Sequence, residues 1–201
     1  VCAAEPAEAA AEREPGDAGR GHEAARAREP VRLCGVVVLA PDHAAAKAQI
    51  KTVYTRQTPF LWKDEAPVWI RRGMRDQQVD DPSKLKPRRL HGSFGWNIMA
   101  PFEPRPQDIV IDKRRPTMFI GNEFETIMSN LGLTTIVMIG CTTDGGVEAT
   151  VREGFNRSYF MVIPRDCVGT YTEAGHNAAL KRMERFAEIV ESKELIEIWQ
   201  K

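Results

Sequence analysis

The stretch Thr134–Thr150, TTIVMIGCTTDGGVEAT, constrains the fold more than any other part of the chain. Its opening TTIVMIG is continuously apolar and β-branched, short for a helix and without the alternation of a half-solvated strand. Such a run reads as a strand buried on both faces, the kind found in parallel sheets covered by helices. The polar, Gly-rich turn CTTDGG follows at once. A helical pattern then runs from about Asp144 to Phe155, with Val147, Val151 and Phe155 on one side. A strand that enters a tight turn and then a helix presents backbone N–H groups and one side chain at the C-terminal edge of a sheet, where α/β enzymes do chemistry. Position 146, where that side chain belongs, is glycine.

The flanking segments extend the same alternation. Asp108–Asp112 reads as a strand ending at Lys113. Asn122 is placed to N-cap a helix, with Glu125 in capping-box register. Phe124, Ile127, Met128 and Leu131 share a face of that helix, and Gly132 stops it. Ser158–Ile163 reads as a strand, Ala174–Glu191 as an amphipathic helix and Glu194–Trp199 as an edge strand. Upstream, RLCGVVVLA between Pro30 and Pro41 reads as a strand, with the first half of a broken helix as the alternative. PDHAAAKAQ reads as a short helix opened by Pro41, and Ile50–Arg56 as a further strand. Thr58 to about Gly95 reads as a long polar lid or binding loop. Strands alternating with helices predict an α/β domain with a mainly parallel sheet covered on both faces.

Charge and composition narrow the function classes. The chain has 28 Lys and Arg against 28 Asp and Glu, so neither a nucleic-acid footprint nor a polybasic membrane patch is expected. No apolar run approaches the ~20 residues of a membrane-spanning helix. Residues 1–30 contain no Leu, Ile, Met, Phe, Tyr or Trp and are expected to form a disordered tail, leaving 31–201 as the folded domain. That tail lacks the apolar core of a secretion signal, which makes the cytoplasm the expected compartment. Cys2, Cys34, Cys141 and Cys167 form no zinc-spaced cluster, and Cys141 and Cys167 are expected as reduced, mostly buried thiols rather than a disulfide.

Several motifs in order now point to a family. DIVIDKRRPTMF carries Lys113 at a strand end and Phe119 after it; GCTTDGGVEAT spans Gly140–Thr150; Asp166 follows the next strand and His176 opens a late helix; GSFGW and VREGF add detail. From about Ile50 to Trp199 the chain resembles the isochorismatase-like cysteine hydrolases, and among them the ureidoacrylate and N-carbamoyl-amide hydrolases. The resemblance implies a three-layer α/β/α sandwich and an Asp–Lys–Cys triad that cleaves a small amide to acid and ammonia. It implies a small-molecule substrate, no cofactor and a homo-oligomer. Carried over by position, Lys113 is the triad lysine, and Thr142 and Gly146 supply oxyanion N–H groups. Cys141–Thr142 becomes a cis peptide, and Phe119 joins the substrate-binding residues. The metal-binding pattern of the nicotinamidase branch is missing, so no metal is expected.

Two departures weigh on that reading. Gly146 occupies the nucleophile position, so the attacking sulfur is absent. The expected Asp-x-Gln strand is not found before Ile50, and Asp42, just past a candidate first strand, is the remaining choice for the base. Plainer readings stand beside the functional ones. Lys113 belongs to a basic run that could be solvated, Cys141 is a buried cysteine before it is a replacement nucleophile, and His176 is a satisfied helix histidine. Gly145–Gly146 could cradle an anion, while Trp62, Trp69, Phe94 and Trp96 could line a pocket mouth or pack. Three functions remain open: a catalytically impaired amide hydrolase, a non-catalytic pseudoenzyme that binds a small carboxylate or amide or serves as an oligomer subunit, and a damaged copy.

Overall fold

The computed structural model describes residues 36–40, 51–58, 61–86, 89–98, 102–106 and 108–199, the first group by backbone. All belong to the unit Leu33–Lys201. The domain is a three-layer α/β/α sandwich. Its strands are β1 (Val36–Ala40), β2 (Lys51–Gln57), β3 (Ile109–Lys113), β4 (Thr135–Cys141), β5 (Phe160–Pro164), β6 (Val168–Gly169) and β7 (Glu188–Val190). The helices are α1 (Pro67–Gln77), α2 (Phe124–Asn130), α3 (Glu148–Asn156), α4 (Glu173–Met183) and α5 (Ser192–Trp199).

Among the described residues the sheet order is β3-β2-β1-β4-β5-β7, with β6 beside the end of β4. Pairs β2/β3, β4/β5, β4/β6 and β5/β7 are parallel. The central strand β1 is antiparallel to both neighbours. Chain length explains that reversal. Only residues 41–50 separate β1 from β2, and a parallel partner needs a crossover of a dozen or more residues, roughly, whereas an antiparallel partner does not. Because β1 opposes both β2 and β4, the strands β2 to β5 point one way, and their C-terminal ends share an edge.

β4 is covered on both faces: Ile136, Val137 and Met138 are consecutive and at most 3% exposed. Ile136 and Met138 join Val53, Ile111, Met161 and Ile163 from neighbouring strands against Phe124 and Met128 of α2, Val151 of α3 and Leu180 and Met183 of α4. Among the described residues no helix is long and apolar enough to cross a membrane.

Four sequence expectations change. The Thr58–Gly95 stretch is not one loop but contains α1, which Pro67 opens at its first turn. A Cβ on Gly73 of α1 would come within 2.9 Å of Trp62 Cζ3, so the glycine lets the indole pack against the helix. Asn122 accepts a hydrogen bond from the Phe124 N–H at 2.9 Å, one residue off the expected capping register, and Glu125 instead binds Arg157. Leu131, expected on the apolar face, is 42% exposed at the C-cap. Near the C-terminus the readings exchange places: α4 stops at Met183, Glu188–Val190 is a strand, and Glu194–Trp199 is helical. The expected helix at PDHAAAKAQ lies outside the described residues.

Thr172 caps α4 by accepting from the Gly175 N–H at 3.1 Å. Thr172→Ala is expected to lower stability by about 1 kcal/mol, read as a melting temperature a few degrees lower by calorimetry.

Candidate functional site

Lys113 is the last residue of β3 and Cys141 the last of β4, which places both at the shared C-terminal edge. Lys113 is only 9% exposed. Its Nζ donates to the carbonyls of Arg115 at 3.0 Å and Pro116 at 2.7 Å, so the chain after β3 folds back over the amine. The lysine's own carbonyl accepts from the Thr58 N–H at 2.9 Å, which fixes the end of β3 to the end of β2.

After β4 the chain passes through a cis Cys141–Thr142 peptide and a π-helical turn, Thr143–Val147, into α3. The Thr142 carbonyl accepts from the N–H groups of Gly145 at 3.0 Å and Val147 at 3.2 Å. The two glycines of this turn differ. A Cβ on Gly145 would overlap Thr142 Oγ1, so that position needs the missing side chain. A Cβ on Gly146 would lie 3.3 Å from the Pro116 carbonyl oxygen and 3.7 Å from Lys113 Nζ. Gly146 is not among the positive-φ glycines, so nothing in its backbone requires glycine. Its carbonyl accepts from Thr150 Oγ1 at 2.7 Å, and the same hydroxyl accepts from the Met118 N–H at 3.2 Å. Thr150 thereby ties the turn to the segment that covers Lys113.

Burial, followed by the positive charge of Arg89, lowers the Lys113 amine from its usual range to about 8. Among the described residues no carboxylate pairs with it: Asp112 holds Arg56, Glu65 holds Arg115, and Glu148 holds Arg152 and Arg182. A lysine with a lowered folded pKa opposes folding while both states are charged. That penalty is relieved as pH rises through about 8 toward the unfolded value near 10.4. The stability of the native chain relative to Lys113→Met is therefore expected to rise by on the order of 3 kcal/mol between pH 7.5 and 10.5, as followed by urea titration. A flat difference would contradict the burial of a charged amine.

The other sequence-predicted residues are dispersed. Phe119 lies in the core, stacked on Tyr159 at 5.6 Å and edge-on to Phe124 at 5.3 Å. Cys141 and Cys167 are half-buried thiols not joined in a disulfide. His176 Nδ1 is 3.0 Å from Thr143 Oγ1, bracing α4 against the π turn. Asp166 caps α5, accepting from the Ser192 N–H and hydroxyl. Asp42 lies outside the described residues. The strand before it does not end at the Lys113 edge: Ala40 registers with Thr135, the first residue of β4, so β1 runs toward the opposite edge. Among the described residues no group of three His, Cys, Asp or Glu side chains could hold a metal ion.

Sequence reasoning missed Arg89 and Arg56. Arg89 adopts a left-handed φ of 55° and acts on the Lys113 amine. Arg56 stacks over Trp96 at 3.7 Å, and Trp96 Nε1 donates to Thr58 Oγ1 at 2.8 Å. The GSFGW segment is thus pinned to the sheet edge by its tryptophan, while Phe94 in the same segment is 75% exposed. Trp96 was the visible signal; its arginine partner, far away in sequence, was not.

Comparison with known proteins bears on the fold and the family. Residues 38–194 match the isochorismatase domain. Ureidoacrylate amidohydrolase RutB of Methylobacterium radiotolerans is 34% identical over 96 residues, covering 47% of this chain and 37% of that protein. RutB of Pantoea ananatis is 26% identical over 155 residues, covering 71% of this chain and 60% of that protein. The chain thus spans less than two thirds of these curated relatives. An isochorismatase family protein from Desulfovibrio vulgaris superposes with a TM-score of 0.63 at 17% identity, covering 74% of this chain and 75% of that one. N-carbamoylsarcosine amidase from Thermoplasma acidophilum superposes with a TM-score of 0.54 at 20% identity, covering 70% and 71%. Both share the fold. With the domain match spanning residues 38–194, most of the chain, the protein belongs to the isochorismatase family.

Proposed function

We propose that this chain derives from hydrolases that cleave C–N bonds of small carbamoyl or ureido amides, and that it has lost the covalent step. The observation that carries this reading is the direction of position 146. A side chain there would point at the buried amine of Lys113, 3.7 Å from its Cβ, and glycine leaves no sulfur to do so. In the ancestral arrangement Lys113 stabilises a thiolate, and the N–H groups of Thr142 and Gly146 bind the developing oxyanion. Cys141 flanks that hole, Phe119 packs in the core rather than at it, and Asp42 is not relied on as the base. Oxyanion stabilisation without a nucleophile leaves a small residual acceleration over water.

The buried amine of Lys113, 3.7 Å from where a Cβ on Gly146 would stand, favours a second reading, a non-catalytic binder of a small carboxylate or amide. A homo-oligomer in the cytoplasm is part of either reading, and sedimentation checks the assembly.

The test is ammonia release from ureidoacrylate, an N-carbamoyl amino acid and a simple amide. The native chain is expected to exceed the blank only slightly, by that residual acceleration, and Gly146→Cys to exceed the native chain clearly. A native rate equal to that of the variant would overturn the loss of catalysis. A folded variant inert on all three would overturn the carbamoyl lineage. For the binder, small carboxylates are expected to raise the melting temperature of the native chain and not that of Lys113→Ala.

A further inference from the structure

We infer that the groove between α4 and the ends of β5 and β7 binds a small α-amino acid with an amide side chain, held by Arg165 and Glu191. This groove is lined by neither Lys113 nor the Thr142–Gly146 turn, and it stands whether or not the lineage cleaved carbamoyl groups.

Sheet register brings the two charged residues together. β5 and β7 are parallel, and Pro164 pairs with Val190. Arg165 and Glu191 come next along each chain, so both stand at the carboxyl ends of adjacent strands, the side of an α/β sheet where ligands bind. α4 forms the other wall. Its His176, Asn177 and Leu180 share one face, because residues four apart stack along a helix. The groove between the walls has a volume of about 330 Å³, within the ~300–1,000 Å³ of small-molecule sites. Leu180, only 6% exposed, gives it an apolar base.

The charged groups along the groove are unequally engaged. Asp166 accepts from the N–H and the hydroxyl of Ser192, and Lys181 donates to Glu184 at 2.7 Å. Arg165 Nε and a Glu191 carboxylate oxygen, by contrast, face each other at 3.9 Å, beyond hydrogen-bond distance. Among the described residues neither of these two side chains makes a hydrogen bond. They are 52% and 43% exposed, and an ion pair that exposed and that long contributes little to stability. The Asn177 side-chain amide also has no hydrogen-bond partner among the described residues. His176 turns Nδ1 to Thr143 Oγ1 at 3.0 Å, which leaves Nε2 on the far side of the ring.

A guanidinium beside a carboxylate, each with its hydrogen-bonding capacity unused, selects a ligand that carries both charges close together. A simple anion drawn to Arg165 would meet Glu191, and a simple cation drawn to Glu191 would meet Arg165. An α-amino acid bears its carboxylate and ammonium on one carbon, a spacing comparable to that of the two side chains. It can lie alongside them, carboxylate on Arg165 and ammonium on Glu191, at the ~2.7–2.9 Å of charge-assisted hydrogen bonds. Its side chain then crosses Leu180 toward Asn177 and His176 Nε2. An amide and an imidazole nitrogen together offer donors and acceptors, which suits a terminal carboxamide reached over apolar methylenes. Glutamine has that outline.

The experiment is an amide chemical-shift titration of the full, isotope-labelled chain near neutral pH. The probes are L-glutamine, glutaramate, which lacks the α-ammonium, and 4-aminobutanamide, which lacks the carboxylate. L-glutamine is expected to give saturable shifts at the amides of Arg165, Asn177 and Glu191, with a Kd of about 1 mM or tighter. Each analogue loses one charge-assisted hydrogen bond and is expected to bind there at least about tenfold more weakly. Arg165→Gln and Glu191→Gln change exposed side chains and are expected to leave the fold intact, as circular dichroism verifies. Each is expected to weaken L-glutamine by about tenfold. In Glu191→Gln the affinities for L-glutamine and glutaramate are expected to converge, which a purely structural role would not produce. Absence of saturable shifts at these amides up to about 20 mM L-glutamine would overturn the site. Shifts confined to Thr142–Gly146 would do the same, by placing the amino acid at the Lys113 edge. Equal affinity of the native chain for L-glutamine and glutaramate would overturn the amino-acid assignment. Failure of ammonia release from Gly146→Cys leaves this result unaffected, because the titration uses the native chain and follows other residues.

Discussion

Gly146→Cys is expected to carry a thiol that iodoacetamide alkylates about tenfold faster at pH 7 than a cysteine in an unfolded peptide. A free thiol with a pKa near 8.5 is only a few per cent thiolate at that pH. The new Cβ sits 3.7 Å from Lys113 Nζ, so the sulfur lies within reach of a buried ammonium. An opposite charge at that range lowers a thiol's pKa by about one unit or more, and the thiolate fraction rises accordingly. The pair is coupled: the thiolate raises the lysine in return, so its lowered value in the native chain does not rob the variant of its cation. Lys113→Met in the same background is expected to remove the acceleration. Alkylation at the peptide rate in the single variant would mean that residue 146 does not face the amine. Among the described residues the one tight contact is the Pro116 carbonyl at 3.3 Å, which a small backbone adjustment accommodates. The variant should therefore fold.

Phe124→Ala is expected to cost about 3–5 kcal/mol, a large part of the 5–15 kcal/mol that typically holds a domain together. Phe124 is 0% exposed and meets Phe119 edge to face at 5.3 Å. It is also the first residue of α2, a helix of only seven residues whose other fully buried side chain is Met128. A helix that short has little stability of its own and depends on these anchors. Phe155→Ala is the control. That ring is 49% exposed, so its loss is expected to cost under about 1 kcal/mol. Urea denaturation of both variants checks the contrast, and equal losses would contradict the assigned burial.

The sequence was most readable where one physical requirement dominated. β4 had to be buried on both faces, and its run of apolar residues permitted little else. The turn after it was legible from two adjacent glycines and the apolar spacing of α3. Lys113 was legible because a charged residue directly after an apolar strand marks a sheet edge. Other features depend on information that local sequence does not hold. α1 buries a single residue, Gly73, and stands among prolines and charges that read as loop; Pro67 marks its start. ELIEIW satisfies both a two-residue and a 3.6-residue period; the cap that Asp166 gives Ser192 settles it as helix. The direction of β1 follows from the length of the connection to β2, not from any residue within VVVLA. Arg89 reaches Lys113 only through the tertiary fold.

That reversed strand has a consequence for how the domain opens. The described sheet consists of two parallel blocks, β2 with β3 and β4 with β5 and β7, and their hydrogen bonds meet only through β1. Lys113 belongs to one block and the Thr142–Gly146 turn to the other, so the site straddles the seam. Amide exchange at Val36–Ala40 should then report directly on whether the two halves are joined. These amides are expected to exchange with the slowest class in the protein, and any condition that quickens them should quicken loss of the Lys113 site in step.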